Sequence, residues 1–216
     1  MKYIFGLGNP GAQYSGNYHN LGTIFANWLC EYFPNELVSK KTEYEMFRFS
    51  NVSFSHFVHL SSNFSNMSLA PSSDLSLNGS CFYVIKPNVF MNLSFKAIGS
   101  VYSMNKASSM DFLVMHDELM LPKYDIKLKI PDGSNLPGNA GHNGLRNISE
   151  HMSANFSRLR IGIDHPKNFD PRISVTNYVL SNIDDISAYK KAFETKGIKL
   201  ISDWLNTSTN CVSMKK

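Results

Sequence analysis

Apolar and polar positions recur along the chain in three rhythms, each of which predicts a different element. From Leu21, the residues Leu21, Ile24, Phe25, Trp28, Leu29 and Phe33 fall on one helical face, and Pro34 marks the end of that helix. The same period returns in Ile183, Ile186, Tyr189, Phe193, Leu200, Ile201 and Trp204, with Gly197 a weak point; this stripe reads as core packing. Short unbroken apolar runs at 2–7, Phe82–Lys86 and Phe112–Met115, with "RLRIGID" at 158–164, predict buried strands. Residues 44–60 alternate aromatic with polar as paired strands do, and "DIKLKI" at 125–130 reads as an edge or antiparallel strand. The Ser- and Asn-rich stretch 61–80 holds no period and is expected to be a surface insertion, while 132–144, "DGSNLPGNAGHNG", is loop by composition. Strands alternating with helices predict an α/β fold. We expect a single domain over 1–216, with a twisted mixed, largely parallel β-sheet flanked by helices on both faces.

Composition narrows the classes without choosing among them. At 216 residues, 43% hydrophobic and 18% charged, the chain can bury one substantial core. No apolar run approaches the roughly 18 residues that a membrane helix needs, so no membrane role is expected. Met1-Lys2 leads straight into the first strand, which predicts a cytoplasmic setting, or a mitochondrial one in a eukaryote. Cys30, Cys81 and Cys211 are odd in number and lack metal-ligand spacing; a reducing compartment fits, with Cys30 a small core residue. The net charge of +4 is modest. Lys123, Lys127 and Lys129 nevertheless lie close together and Arg158 and Arg160 form a pair, as a polyanionic partner would require.

Candidate chemistry begins at "IFGLGNPGAQYSGNYHN". Gly6, Gly8 and Gly11 spell the G-x-G-x-x-G of dinucleotide-binding loops, which must open at once into a helix. Here Pro10 interrupts the motif and the residues up to His19 read as loop, so that context is missing. Three apolar runs end in polar clusters: the first at Asn9, the second before Asn92, the third at His116, Asp117 and Glu118. In a parallel sheet these ends share one rim, where ligands bind. His19 precedes the amphipathic helix, with Asn20 a candidate N-cap. A helix N-terminus disfavours imidazolium, so His19 is a candidate general base, and a carboxylate such as Asp117 would fix its tautomer. Neighbours along 116–118 should point to opposite faces, so no metal site is expected there, and no H-E-x-x-H, C-x-x-C or G-x-S-x-G occurs. "NAGHNG" sets His142 and Asn143 between glycines; an amide there can both donate and accept, which suits a peptide, and the same turn can cap a helix.

Taken together and in order, "GLGNPGAQYSGNYHNLG" (6–22), "KPNVFMNLS" (86–94), "HDELMLP" (116–122), "GHNGLRNI" (141–148) and "RLRIGIDHP" (158–166) resemble the bacterial-type peptidyl-tRNA hydrolases. The resemblance implies hydrolysis of the ester between a peptide and the 3′ ribose of tRNA, recycling tRNA from aborted translation. It implies His19 as catalytic base and Asp117 as the carboxylate orienting it. Asn9, Asn92 and Asn143 would place the terminal adenosine, the peptide and the attacking water; Tyr14 and His142 would contact substrate. Lys127, Lys129 and Arg160 would grip phosphates of the acceptor stem leading to the CCA end. No metal or organic cofactor, no membrane and no obligate protein partner is implied, and a monomer is expected. The family usually has Thr-Arg where Asn17-Tyr18 stand, Asp at Met120, and Gly at Phe95, Ala140 and Asp164. Two other readings remain at this point: an RNA-binding relative without turnover, and a nucleotide-dependent oxidoreductase using the first glycine motif.

Overall fold

The computed structural model describes residues 1–50, 52, 81–104, 106–131, 138–152 and 155–207. The expected insertion at 61–80, the second half of the alternating 44–60 run, part of the 132–144 loop and Cys211 lie outside these residues. Seven strands form one sheet: β1 (Lys2–Gly6), β2 (Glu36–Lys40), β3 (Tyr44–Ser50), β4 (Cys81–Pro87), β5 (Phe112–Glu118), β6 (Ile126–Lys129) and β7 (Ser157–Gly162), in the order β2-β3-β4-β1-β5-β7-β6. The centre is parallel, β1 pairing with β4 and β5, and β5 with β7. The flanks, β2 with β3, β3 with β4, and β6 with β7, are antiparallel. The sheet is thus mixed, with its parallel part where the buried apolar runs were read.

Helices α1 (Leu21–Tyr32), α2 (Ser94–Met104), α3 (Asn143–His151), α4 (Val175–Val179), α5 (Ile186–Ala192) and α6 (Ile198–Asn206) cover both faces. Side-chain alternation divides the core between them. Ile4, Leu113, Met115, Leu159 and Ile161 point to the side of α1 and the carboxyl-terminal helices, while Tyr3, Phe5, Phe112 and Val114 point to α2 and α3. β5 is buried at every position, as a central strand sandwiched between helices must be. The carboxyl-terminal stripe is continuous but not uniformly α-helical: Phe193–Gly197 is a π turn between α5 and α6. Gly197 is required there, since a Cβ would press into the Phe193 ring.

The first glycine motif serves close packing. A Cβ on Gly6 would meet Ala26 at 2.8 Å, and one on Gly22 would lie 2.6 Å from the Leu7 nitrogen and closer still to the Met115 carbonyl oxygen. Helix α1 therefore lies with its backbone against the ends of β1 and β5, which brings the turn preceding it, with His19, over the carboxyl end of β5. Gly22→Ala is expected to destabilise the protein by about 3 kcal/mol, because backbone on both sides cannot yield. Urea unfolding checks this; an unchanged midpoint would mean that α1 can lift from the sheet without cost.

Candidate active site

The carboxyl ends of β1, β4 and β5 open on one cavity of about 530 Å³, lined among others by Asn9, His19, Asn92, Asp117, His142 and Asn143. Three polar clusters far apart in sequence thus share one rim, together with the start of α3. At its centre stands Asp117, 4% exposed, near the end of β5. Its Oδ1 lies 2.9 Å from His19 Nδ1 and 3.1 Å from His142 Nε2. Burial alone would raise the Asp117 carboxyl, but the two imidazoles hold it well below the usual 3.8. It is therefore a carboxylate and can only accept, so both histidine nitrogens facing it carry protons. His19 Nε2 is then left as a bare lone pair.

Burial pulls the His19 imidazolium down while the Asp117 carboxylate lifts it, and the balance is a pKa raised above 6.5. The sequence predicts opposing pulls from a helix N-terminus and a carboxylate; in the structure it is the Asp117 carboxylate that lifts the pKa, against burial. Asn20 is not a side-chain cap. Its amide makes two bonds to Asn9, accepting the Asn9 N–H at 2.8 Å and donating to the Asn9 carbonyl at 2.9 Å. Asn9 is pinned further, its Oδ1 accepting the Met91 N–H at 2.8 Å. Asn143 is oriented likewise, its Oδ1 accepting from Arg146 Nη2 at 2.7 Å. Both amides thus have their acceptor engaged, which leaves their Nδ2 hydrogens to a ligand in the cavity they line. Asn92 is exposed on the cavity wall.

His142 is the N-cap of α3, where its Nδ1 accepts the Leu145 N–H at 3.4 Å. That bond keeps the proton on Nε2, toward Asp117. His142 thus secures the carboxylate as well as lining the cavity. His116 points to the α2–α3 side, its Nδ1 donating to the Asp117 carbonyl at 2.7 Å; burial, and then His142, push its pKa down to about 3, so it stays neutral. Glu118 accepts from Arg160 Nε at 2.9 Å. His19, Asp117 and His142 are also the described residues whose donor atoms, within 4.8 Å of one another, could hold a metal ion. Two N–H groups already occupy Asp117 Oδ1.

Tyr14 does not line the cavity but stands edge-on to Phe90, 6.4 Å between centroids, and Phe90 does line it, half exposed. Phe90 escaped the sequence reading because a lone exposed aromatic carries no periodic signal. Lys127, Lys129 and Arg160 lie outside the cavity, on one face of the β6–β7 pair, with Lys127 opposite Arg160. Ala140 at φ 46° and Asp164 at φ 61° hold a left-handed backbone without being glycine. Asp164 supports its own turn, Oδ1 accepting the His165 N–H at 2.7 Å.

The sequence model of the family described as "Peptidyl-tRNA hydrolase" matches residues 3–215. The chain belongs to the peptidyl-tRNA hydrolase family. It is 36% identical over 206 residues to the peptidyl-tRNA hydrolase of Coxiella burnetii, covering 94% of this chain and 90% of that one. The corresponding protein of Bartonella quintana is 34% identical over 166 residues, covering 77% and 70%. Among solved structures, peptidyl-tRNA hydrolase from Acinetobacter baumannii superposes with a TM-score of 0.66 at 25% identity, covering 96% and 95%. Among the described residues, no helix is long and apolar enough to cross a membrane.

Proposed function

We propose that His19 supplies the base, and Asn9, Asn92 and Asn143 the positioning amides, with which this chain carries out peptidyl-tRNA hydrolysis. The activity itself, cleavage of a carboxylic ester, follows from family membership. One observation carries the assignment of roles: Asp117 accepts N–H from both His19 and His142, which turns the bare His19 Nε2 toward the ligand side. Water gives a proton to that nitrogen as its oxygen attacks the ester carbonyl carbon. The carbonyl oxygen, now an oxyanion, takes N–H from the cavity's amides; collapse breaks the bond to the ribose 3′ oxygen, and His19 returns the proton to it. Base and oxyanion donors each contribute about 10²–10³-fold, enough for an ester already activated by its vicinal hydroxyl.

Tyr14 and Phe90 offer ring faces for a terminal adenine at the cavity's mouth. Lys127, Lys129 and Arg160 form the phosphate contacts for the acceptor stem. Such contacts read no sequence, which suits action on many tRNAs. Replacing Lys127 or Arg160 by Ala should each weaken tRNA binding and reduce the slope of log K against log salt by about one. A slope unchanged in both variants would remove this strand pair from the RNA surface.

The assay for the function is release of N-acetyl amino acid from N-acetylaminoacyl-tRNA by the purified protein, beside free aminoacyl-tRNA. Release from the blocked substrate alone is expected. No release from either would leave the fold as an RNA-binding relative without turnover.

A further inference from the structure

We propose that Tyr18 and Asp184 are positioning residues that hold His19 against Asp117, a task this chain assigns to a tyrosine–carboxylate contact. The inference rests on His19 acting as the base. Tyr18 directly precedes His19 in the turn Tyr18–Asn20 and is 2% exposed. Its hydroxyl donates to Asp184 Oδ1 at 2.8 Å, and Lys123 donates to Asp184 Oδ2. Lys123 Nζ also sits 5.4 Å from the centre of the Tyr18 ring, closing the triangle.

Each member of the triangle belongs to a segment that supplies the site. Lys123 lies on the loop leaving β5, six positions after Asp117. Asp184 lies just after α4, whose Val175, Thr176 and Val179 wall the cavity. The backbone is stitched along the same seam: Tyr18 N–H donates to the Ser181 carbonyl at 3.2 Å, Ile183 N–H to the Gly16 carbonyl at 2.8 Å, and the Asn17 amide to the Leu180 carbonyl. Tyr18 stacks at a tilt on Tyr178, 5.0 Å between centroids, whose hydroxyl donates to the Ile163 carbonyl. Base, carboxylate and cavity wall therefore converge on one carboxylate, Asp184. The Tyr18 ring also packs against Tyr178 and Tyr189, which fixes where its hydroxyl can reach.

The test compares N-acetylaminoacyl-tRNA hydrolysis by Tyr18→Phe, Asp184→Asn, Asp184→Ala and the double variant Tyr18→Phe/Asp184→Ala. Tyr18→Phe keeps the ring packing and removes only the hydroxyl; kcat should fall about tenfold with KM nearly unchanged, since substrate contacts are intact and only the base has drifted. Asp184→Ala should match it. Asp184→Asn, which still offers an acceptor, should recover most of the loss. The double variant should be no slower than either single one, as members of one unit behave. Wild-type kcat in Tyr18→Phe, with only a lower thermal midpoint, would overturn the proposal and leave a purely structural bond. So would losses that multiply in the double variant. Inactivity of the unmodified protein would instead strike the functional reading itself.

Discussion

His19→Ala is expected to lower kcat/KM for N-acetylaminoacyl-tRNA by about 10³-fold while the protein remains folded. The side chain contributes a bare imidazole lone pair whose basicity the Asp117 carboxylate raises, and no other histidine of the cavity combines the two. His142 Nε2 is committed to Asp117 and its Nδ1 to Leu145, while His116 Nε2, though bare, is fully buried and its pKa of about 3 makes it a feeble base. The loss should not be total, because the amide donors of Asn9 and Asn143 remain to receive the oxyanion. The fold should survive because Asp117 keeps the His142 N–H and so is not stranded as an unpaired buried charge. Single-turnover kinetics beside a thermal melt separate the two effects. A variant within tenfold of the wild type would dismiss His19 as the base.

Asp117→Asn should cost a similar factor, about 10²–10³, by a different route. The amide keeps one acceptor oxygen but sets an NH₂ where Oδ2 lay, 3.1 Å from His19 Nδ1. The oxygen left at Oδ1 can still accept the His19 proton, but the NH₂ beside it opposes that tautomer and the charge that stabilises the imidazolium formed on proton transfer is gone. The pH profile distinguishes this from simple loss of fold. The base works when neutral, so kcat/KM falls as the pH drops through the His19 pKa, which the carboxylate raises above 6.5 in the wild type. Without the charge, burial dominates, and the acid limb should move to lower pH even as the plateau drops. A limb that stays in place would show that another group titrates. The same pair sets a stability window. His19, with its pKa raised, contributes fully below pH 6.5 and loses its share as the pH rises through its folded pKa. Asp117, with its pKa lowered, contributes above pH 3.8 and loses its share as the pH falls through its folded pKa. These are two views of one attraction and do not add.

The rim of the site was legible because burial simplifies sequence. The apolar runs of β1, β4 and β5 give way to polar residues at Asn9, Asn92 and Asp117, where each reaches the cavity. Helix α1 was legible because Leu21, Ile24, Phe25, Trp28 and Leu29 kept one period. β2 was not: Glu36–Lys40 is a largely exposed edge strand whose polarity gives no rhythm, and β3 pairs with it and with β4. Local rules also misplaced Asn20, whose position before α1 suggests a cap while its amide reaches back to Asn9. Side-chain bonds across long separations, such as His142 to Asp117 or Tyr18 to Asp184, leave no trace in spacing. The left-handed turns at Ala140 and Asp164 were hidden for a related reason, since a non-glycine residue conceals the backbone it adopts.

The central claim is that Asp117 accepts two imidazole protons and thereby leaves His19 Nε2 bare. Nitrogen-15 chemical shifts of labelled histidines in the ligand-free protein, above the His19 pKa, test it most directly. His19 is expected to carry its proton on Nδ1 and His142 its own on Nε2, with both signals perturbed in Asp117→Asn. A His19 protonated on Nε2 with Nδ1 bare would contradict it.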